Sequence, residues 1–215
     1  MSEATRIGIL GGTFDPPHIG HLRAAIEARE ALALHRVLLV VANDPWQKSG
    51  SRSVTPAEIR LEMVRAAVEG VEHVEASDIE IRRGGPSYTV ETLRTLHGHG
   101  HGLEHGAGLV VLVGADVVGG LDTWHEATEL PGLAELAVFD RSLDGSHAGS
   151  IIPPEAVAVV APGVEWEVRS VPLPLLYVSS SDIRRRVRDG RSIDFLVPAS
   201  VAVIIERRGI YREGS

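Results

Sequence analysis

The chain has 215 residues, 44% of them hydrophobic, enough to bury one substantial core, and a formal charge of -8 at neutral pH. That acidic balance argues against a general nucleic-acid binder, which needs a basic face to neutralise phosphates. The absence of cysteine excludes disulfides and thiolate metal sites, and the lack of a signal-like N-terminus or an apolar run of spanning length leads us to expect a cytoplasmic protein with no membrane partner.

The first apolar run, Ile7–Leu10, reads as a buried strand. It ends in Gly11-Gly12-Thr13-Phe14-Asp15-Pro16-Pro17-His18-Ile19-Gly20-His21 and reopens as a helical pattern over Ile19–Ala33. A strand, a Gly-Gly turn and a helix start direct backbone N–H groups and two imidazoles at one small volume, which suits an anion. His18 and His21 are three apart and share a face of a first helical turn. The spacing fits neither a Walker A loop nor a dinucleotide fingerprint. The competing reading is a plain turn with surface histidines.

Val37–Val41 is a second strand, followed by the polar, turn-rich stretch 43–51, a candidate mobile flap. Helical periodicity returns over Pro56–Val68 and Ser87–Leu96. His97-Gly98-His99-Gly100-His101-Gly102, with His105, reads as a helix-to-strand connection rather than a metal tract, because alternating glycine gives it no fixed geometry. Leu109–Val113 and Ala134–Phe139 are further strands, and 142–150 is a second candidate loop. The alternation predicts an α/β, doubly wound parallel sheet with ligands beyond the carboxyl ends of its strands. Gly11, Asn43 and Gly114 fall at such ends, so three site segments are expected on one rim.

Near the C-terminus, Val178-Ser179-Ser180-Ser181-Asp182-Ile183-Arg184 is a serine-rich turn leading into a basic helix. By itself it could be an ordinary N-cap with a solvated arginine face. Together, the two motifs resemble the nucleotidyltransferase superfamily that carries H-x-G-H. Gly84-Gly85-Pro86-Ser87-Tyr88-Thr89, Gly114-Ala115-Asp116 with Leu121 and Trp124, Phe195-Leu196-Val197-Pro198 and Gly209-Ile210-Tyr211 look like the bacterial nicotinate-nucleotide adenylyltransferases. The resemblance runs from about Ile7 to Tyr211. Phosphopantetheine adenylyltransferases share the end motifs but lack the Gly-Pro-Ser-Tyr-Thr segment.

The resemblance implies a Rossmann-like nucleotidyltransferase fold over 1–215 as a single domain, with a small C-terminal helical portion from about 179. It implies adenylyl transfer from ATP to nicotinate mononucleotide, with Mg2+ held mainly by the ATP phosphates and not by protein ligands, and it admits a homo-oligomer. His18, His21 and Arg184 would be the catalytic set. Gly11, Gly12, Thr13, Phe14, Gly114, Asp116, Ser179, Ser180 and Ser181 would bind ATP; Asn43, Lys48, Ser87, Tyr88, Thr89 and Trp124 would bind the acceptor. For several of these a plainer role stays open: Asp116 as a helix N-cap, Tyr88 and Trp124 as core aromatics, Lys48 as a solvated lysine. The chain departs from the pattern at Trp46, where a proline is common, at Val178 and Ser181, and at Asp140.

The chemistry follows from the charges. The attacking phosphate oxygen is already ionised, so no base is required; the site must hold two anions in line and neutralise the departing pyrophosphate. Two alternatives remain at this point: a related adenylyltransferase preferring nicotinamide mononucleotide or another phosphorylated acceptor, and a non-catalytic nucleotide-binding protein.

Overall fold

The computed structural model describes residues 5–45, 54–98, 108–140 and 157–212. The four expected strands are present as β1 (Arg6–Gly12), β2 (Arg36–Val41), β4 (Gly108–Gly114) and β5 (Glu135–Asp140), the last shifted one residue from its expected bounds. Three expected helices are α1 (Ile19–Ala31), α2 (Ala57–Val68) and α4 (Thr89–His97). Their bounds differ from expectation by one or two residues, and two of the differences have local reasons. The chain leaves α1 at Leu32 and turns at Ala33, which has φ +50°. Helix α4 starts at Thr89 and not Ser87, because the Ser87 hydroxyl accepts from the Asn43 N–H at 2.8 Å while its own N–H donates to the Asp44 carbonyl at 3.0 Å.

Among the described residues the sheet has seven strands in the order β3-β2-β1-β4-β5-β7-β6, where β3 is Val74–Ser77, β6 is Val157–Ala161 and β7 is Val164–Pro172. All neighbours run parallel except β6 and β7. The sheet is thus the doubly wound parallel one expected, extended at one side by a single antiparallel pair. Val157–Ala161 and Val164–Pro172 pair as an antiparallel ribbon beyond β5, and β7 alternates exposed and buried residues as an edge-side strand does. Helices α3 (Ile79–Arg83), α5 (Ala115–Val118) and α6 (Leu130–Leu133) are single turns too short to show a period.

From β1 the chain steps outward to β2 and β3, then returns to lay β4 on the other side of β1. This reversal opens a crevice at the carboxyl ends of β1 and β4, the usual position for a ligand in such sheets. Successive strand residues point to opposite faces. Ile7, Ile9 and Val111 meet Val90 and Leu93 of α4 on one face, and Leu10, Leu39 and Leu112 meet Ala25 and Ala28 of α1 on the other. A third cluster joins Met63 and Ala67 on the far side of α2 to Ile183 of α7 (Ser180–Arg188) and Val201 and Ile204 of α8 (Ala199–Arg208). The C-terminal helices are thereby seated on α2, beside the end of β1.

Candidate active site

The loop from β1 to α1 is buried from Thr13 through His18. Phe14 has φ +49°, and the Asp15–Pro16 peptide is cis. The Phe14 ring lies where a side chain on residue 12 would project: a Cβ on Gly12 would stand 2.8 Å from it. The ring then meets His21 edge-on, 4.9 Å between centroids at 75°. Gly12 is thus small to admit the aromatic that backs the histidine.

His18 is the extended N-cap residue of α1, and His21 follows in the first turn. His18 thus stands just before the helix, whose expected start at Ile19 is found, and the cap geometry brings the two histidines together. The His18 N–H donates to His21 Nδ1 at 3.1 Å. Neutral His21 must then carry its proton on Nε2, and that N–H is the group it can offer to a ligand. The two rings stack at 3.7 Å and 25°. Both sit at the positive end of a 13-residue helix, where an anion is favoured.

The serine-rich motif closes on this loop from the far end of the chain. Ser179 caps α7, its hydroxyl accepting from the Asp182 N–H at 3.2 Å. The Ser180 hydroxyl donates to the Pro16 carbonyl at 2.8 Å. Arg184 donates through Nη1 to the Asp15 carbonyl at 2.6 Å and through Nη2 to Ser181 Oγ at 3.1 Å. The Ile19 N–H donates to the Leu196 carbonyl at 3.1 Å, and the Tyr211 hydroxyl to Asp15 Oδ1 at 2.6 Å. Burial, then the Asp15 charge, push the Tyr211 phenol well above its ordinary pKa. Gly20 permits this closure: a Cβ there would stand 3.0 Å from the His18 ring and 3.1 Å from Val178 Cγ1.

Beside the loop, a cleft of about 330 Å³ runs along the ends of β1 and β4. It is lined by Gly11, Gly12 and Thr13 after β1, by Gly114 at the end of β4, and by Ser87, Tyr88, Thr89 and Trp124. Tyr88 stacks on His125 at 4.2 Å and 26°, and both Tyr88 and Trp124 also pack against the main apolar cluster. They are core and cleft residues at once. Asn43 is held by the loop that carries Ser87, donating from Nδ2 to the Gly85 carbonyl at 2.9 Å. Asp116 stands exposed in the first turn of α5, whose N-cap is Gly114, so the N-cap reading of Asp116 is corrected. Lys48, Trp46, the stretch 99–105 and the loop 142–150 lie outside the described residues.

Sequence reasoning missed several residues here. Glu80, almost fully buried, lines the cleft and accepts from the Thr92 hydroxyl at 2.5 Å. His125 has no motif signal of its own beside Trp124, and Tyr211 stands in the sequence only as part of the terminal Gly209-Ile210-Tyr211 motif. Arg60 was legible as an anomaly: it occupies an apolar stripe with Val64 and Val68 and is 1% exposed. Among the described residues no group of three His, Asp or Glu side chains could hold a metal ion, and no helix is long and apolar enough to cross a membrane. The donors gathered at the helix end are imidazoles, hydroxyls and a guanidinium, a set that fits a metal brought in on phosphates better than one caged by protein.

Comparison with known proteins identifies the family and the fold. The cytidylyltransferase-like family model matches residues 9–186. A protein of Roseiflexus sp. named "Probable nicotinate-nucleotide adenylyltransferase" is 42% identical over 212 residues, covering 99% of this chain and 100% of the relative. A protein of the same name from Thermomicrobium roseum is 40% identical over 208 residues, covering 97% and 92%. In fold, the chain is similar to Plasmodium falciparum nicotinic acid mononucleotide adenylyltransferase complexed with NaAD, with TM-score 0.70 and 17% identity over 96% of this chain and 97% of that one. The same enzyme complexed with APC gives TM-score 0.66 and 16% identity over 96% and 97%. With identity at this level sustained almost end to end, the chain belongs to the nicotinate-nucleotide adenylyltransferase family, nucleotidyltransferases of the cytidylyltransferase-like kind.

Proposed function

We propose that this chain transfers the adenylyl group of ATP to nicotinate mononucleotide, giving nicotinate adenine dinucleotide and pyrophosphate, a step of NAD biosynthesis. The observation that carries the reading is the joining of stacked His18 and His21 to the Arg184 helix through the carbonyls of Asp15 and Pro16. An acceptor phosphate oxygen attacks the α-phosphorus, the bond to the bridging oxygen of pyrophosphate breaks, and that oxygen leaves with the electron pair. No proton need be removed. The protein's contribution is alignment and charge stabilisation.

His21 Nε2–H and the His18 imidazole would donate to the ATP phosphates, and Arg184 would bind the departing end with a planar fork that lysine cannot reproduce. Ser179, Ser180 and Ser181 start the helix beneath it. Gly11, Gly12, Thr13 and Phe14 would let the backbone approach ATP, with Gly114 and Asp116 toward its ribose. Ser87, Tyr88, Thr89 and Trp124 would take the pyridine end, Trp124 by its ring face, while Asn43 and Lys48 would serve the acceptor phosphate. Mg2+, entering on the ATP phosphates, supplies further neutralisation of their charge when bound. We read 1–215 as one nucleotidyltransferase domain with its helical portion from about 179, acting in the cytoplasm on small nucleotides and not on nucleic acid.

The test is pyrophosphate release from ATP and Mg2+ with nicotinate mononucleotide, nicotinamide mononucleotide or phosphopantetheine as acceptor. Fast release with the nicotinate acceptor is expected. Release with neither pyridine nucleotide would remove the substrate assignment.

A further inference from the structure

Arg60 projects from the first turns of α2 into the interior, 1% exposed, and donates to the backbone of three separate segments. Its Nη1 reaches the Thr13 carbonyl at 2.8 Å, its Nη2 the Asn43 carbonyl at 3.2 Å, and its Nε the Thr55 carbonyl at 2.7 Å. Thr13 belongs to the loop that carries the histidines, Asn43 to the end of β2, and Thr55 to the entry of α2. Only arginine presents donors in a rigid planar fork that can serve three acceptors spread in this way, and its charge persists at any working pH. Burying a permanent cation is expensive, so a guanidinium among apolar neighbours in a helix stripe calls for a specific return.

That return lies in the geometry of the peptide unit. In a planar trans peptide the carbonyl and the following N–H point in opposite directions, and among the described residues only Asp15–Pro16 is cis. A carbonyl of Thr13 held toward Arg60 therefore turns the Phe14 N–H away from it, and a carbonyl of Asn43 held toward Arg60 does the same for the Asp44 N–H. The Phe14 N–H on the ATP side thus takes its direction from Arg60, while the Asp44 N–H is turned toward the loop that carries Ser87, where Asp44 bridges Pro86, so the same side chain also supports the seating of the acceptor-side loop. Both peptide units lie on loops at the strand ends that border the crevice, and Arg60 bonds to both of them.

We propose that Arg60 is a positioning residue that sets the Thr13–Phe14 and Asn43–Asp44 peptide units in one register, so that the two substrates meet in line. It touches neither substrate. This rests on the adenylyl-transfer reading only for its kinetic consequence.

Arg60→Ala and Arg60→Lys are to be compared with the unmodified chain for kcat, for the KM of ATP and of nicotinate mononucleotide, and for thermal unfolding. A misplacement of about 1 Å costs roughly 100-fold in rate, so kcat of Arg60→Ala should fall by about 10- to 100-fold with each KM changed less than about threefold. Added guanidinium ion should restore part of the rate in Arg60→Ala, and an equal concentration of tetramethylammonium should not. Arg60→Lys, which keeps the charge and the fold but loses the fork, should lie between the two and carries the kinetic test if Arg60→Ala does not fold. A folded variant with kcat within threefold of the unmodified chain, a loss confined to KM, or no guanidinium rescue would overturn the proposal. Amide hydrogen exchange read by NMR tests it without turnover: the Phe14 and Asp44 amides should exchange at least about tenfold faster in Arg60→Lys while those of α8 do not change, and unchanged exchange at both would also overturn it. An inactive unmodified chain would instead strike the substrate reading and leave the exchange test standing.

Discussion

Tyr211 donates its hydroxyl to Asp15 Oδ1 at 2.6 Å across 196 positions of sequence. The contact ties the segment after α8 to the loop that presents both histidines, and it gives a buried carboxylate a short donor. Asp15 is 1% exposed, so the bond is shielded from water and the carboxylate depends on its protein partners. The same residue's carbonyl receives Arg184. One residue thus receives hydrogen bonds from both C-terminal helical segments.

Tyr211→Phe is expected to destabilise the fold by about 1–3 kcal/mol, since it removes a hydrogen bond from a buried charge. The pH dependence has a definite sign. The folded state holds the Tyr211 proton more tightly than the unfolded state, so its contribution is complete below the ordinary tyrosine value of 10.0 and is lost as pH rises above it. Denaturant unfolding at pH 7 and above pH 10 checks both points: the alkaline loss of stability should be smaller in Tyr211→Phe than in the unmodified chain.

His21→Ala should lower turnover by about 100- to 1,000-fold, the scale for removing one donor to charge developing in a transition state. His18→Ala should also exceed tenfold, because it removes both a phosphate contact and the ring against which His21 stacks. Steady-state pyrophosphate release measures each. Turnover within a few-fold of the unmodified chain in either variant would contradict the role given to that imidazole.

Gly20→Ala sets helix propensity against packing. In an open helix the change gains up to about 1 kcal/mol. Here the new methyl meets the His18 ring at 3.0 Å and Val178 at 3.1 Å. The expected outcome is a fold no more stable than before and a turnover at least tenfold lower, because the atoms displaced are those that align the site. Thermal unfolding and kcat measured on the same sample separate the two effects.

Trp124→Ala should raise the KM for nicotinate mononucleotide by about tenfold, the loss of an aromatic face worth about 1 kcal/mol or somewhat more. The KM for ATP should change less than threefold. An equal rise in both would place Trp124 in the general packing of the cleft wall, where it also contacts the main apolar cluster.

Much of the site's frame could be read from sequence because its signals are local. An apolar run followed by Gly11-Gly12 ends a strand, His18 and His21 fall within one turn of each other, and Ser179 precedes a helix it caps. Four parallel strands follow from apolar runs that are buried on both faces. The β6–β7 pair was less legible, since its pairing partner is chosen by sheet position and β7 reads as a half-exposed alternation.

By itself, then, the sequence determined the strand–turn–helix that carries the histidines and the family to which the chain belongs, because both depend on residue type and short spacing. Tertiary structure alone decided which distant groups support that site. Tyr211 on Asp15, Ser180 on Pro16, Ser87 on Asn43 and Arg60 on the carbonyls of Thr13 and Asn43 are pairings of side chain with side chain or backbone over long separations. The carbonyls that accept from Ser180 and Arg60 are the same in every residue and leave no mark in a sequence, and the partners of Tyr211 and Ser87 lie far along the chain, so each pairing is named only when the chain has folded.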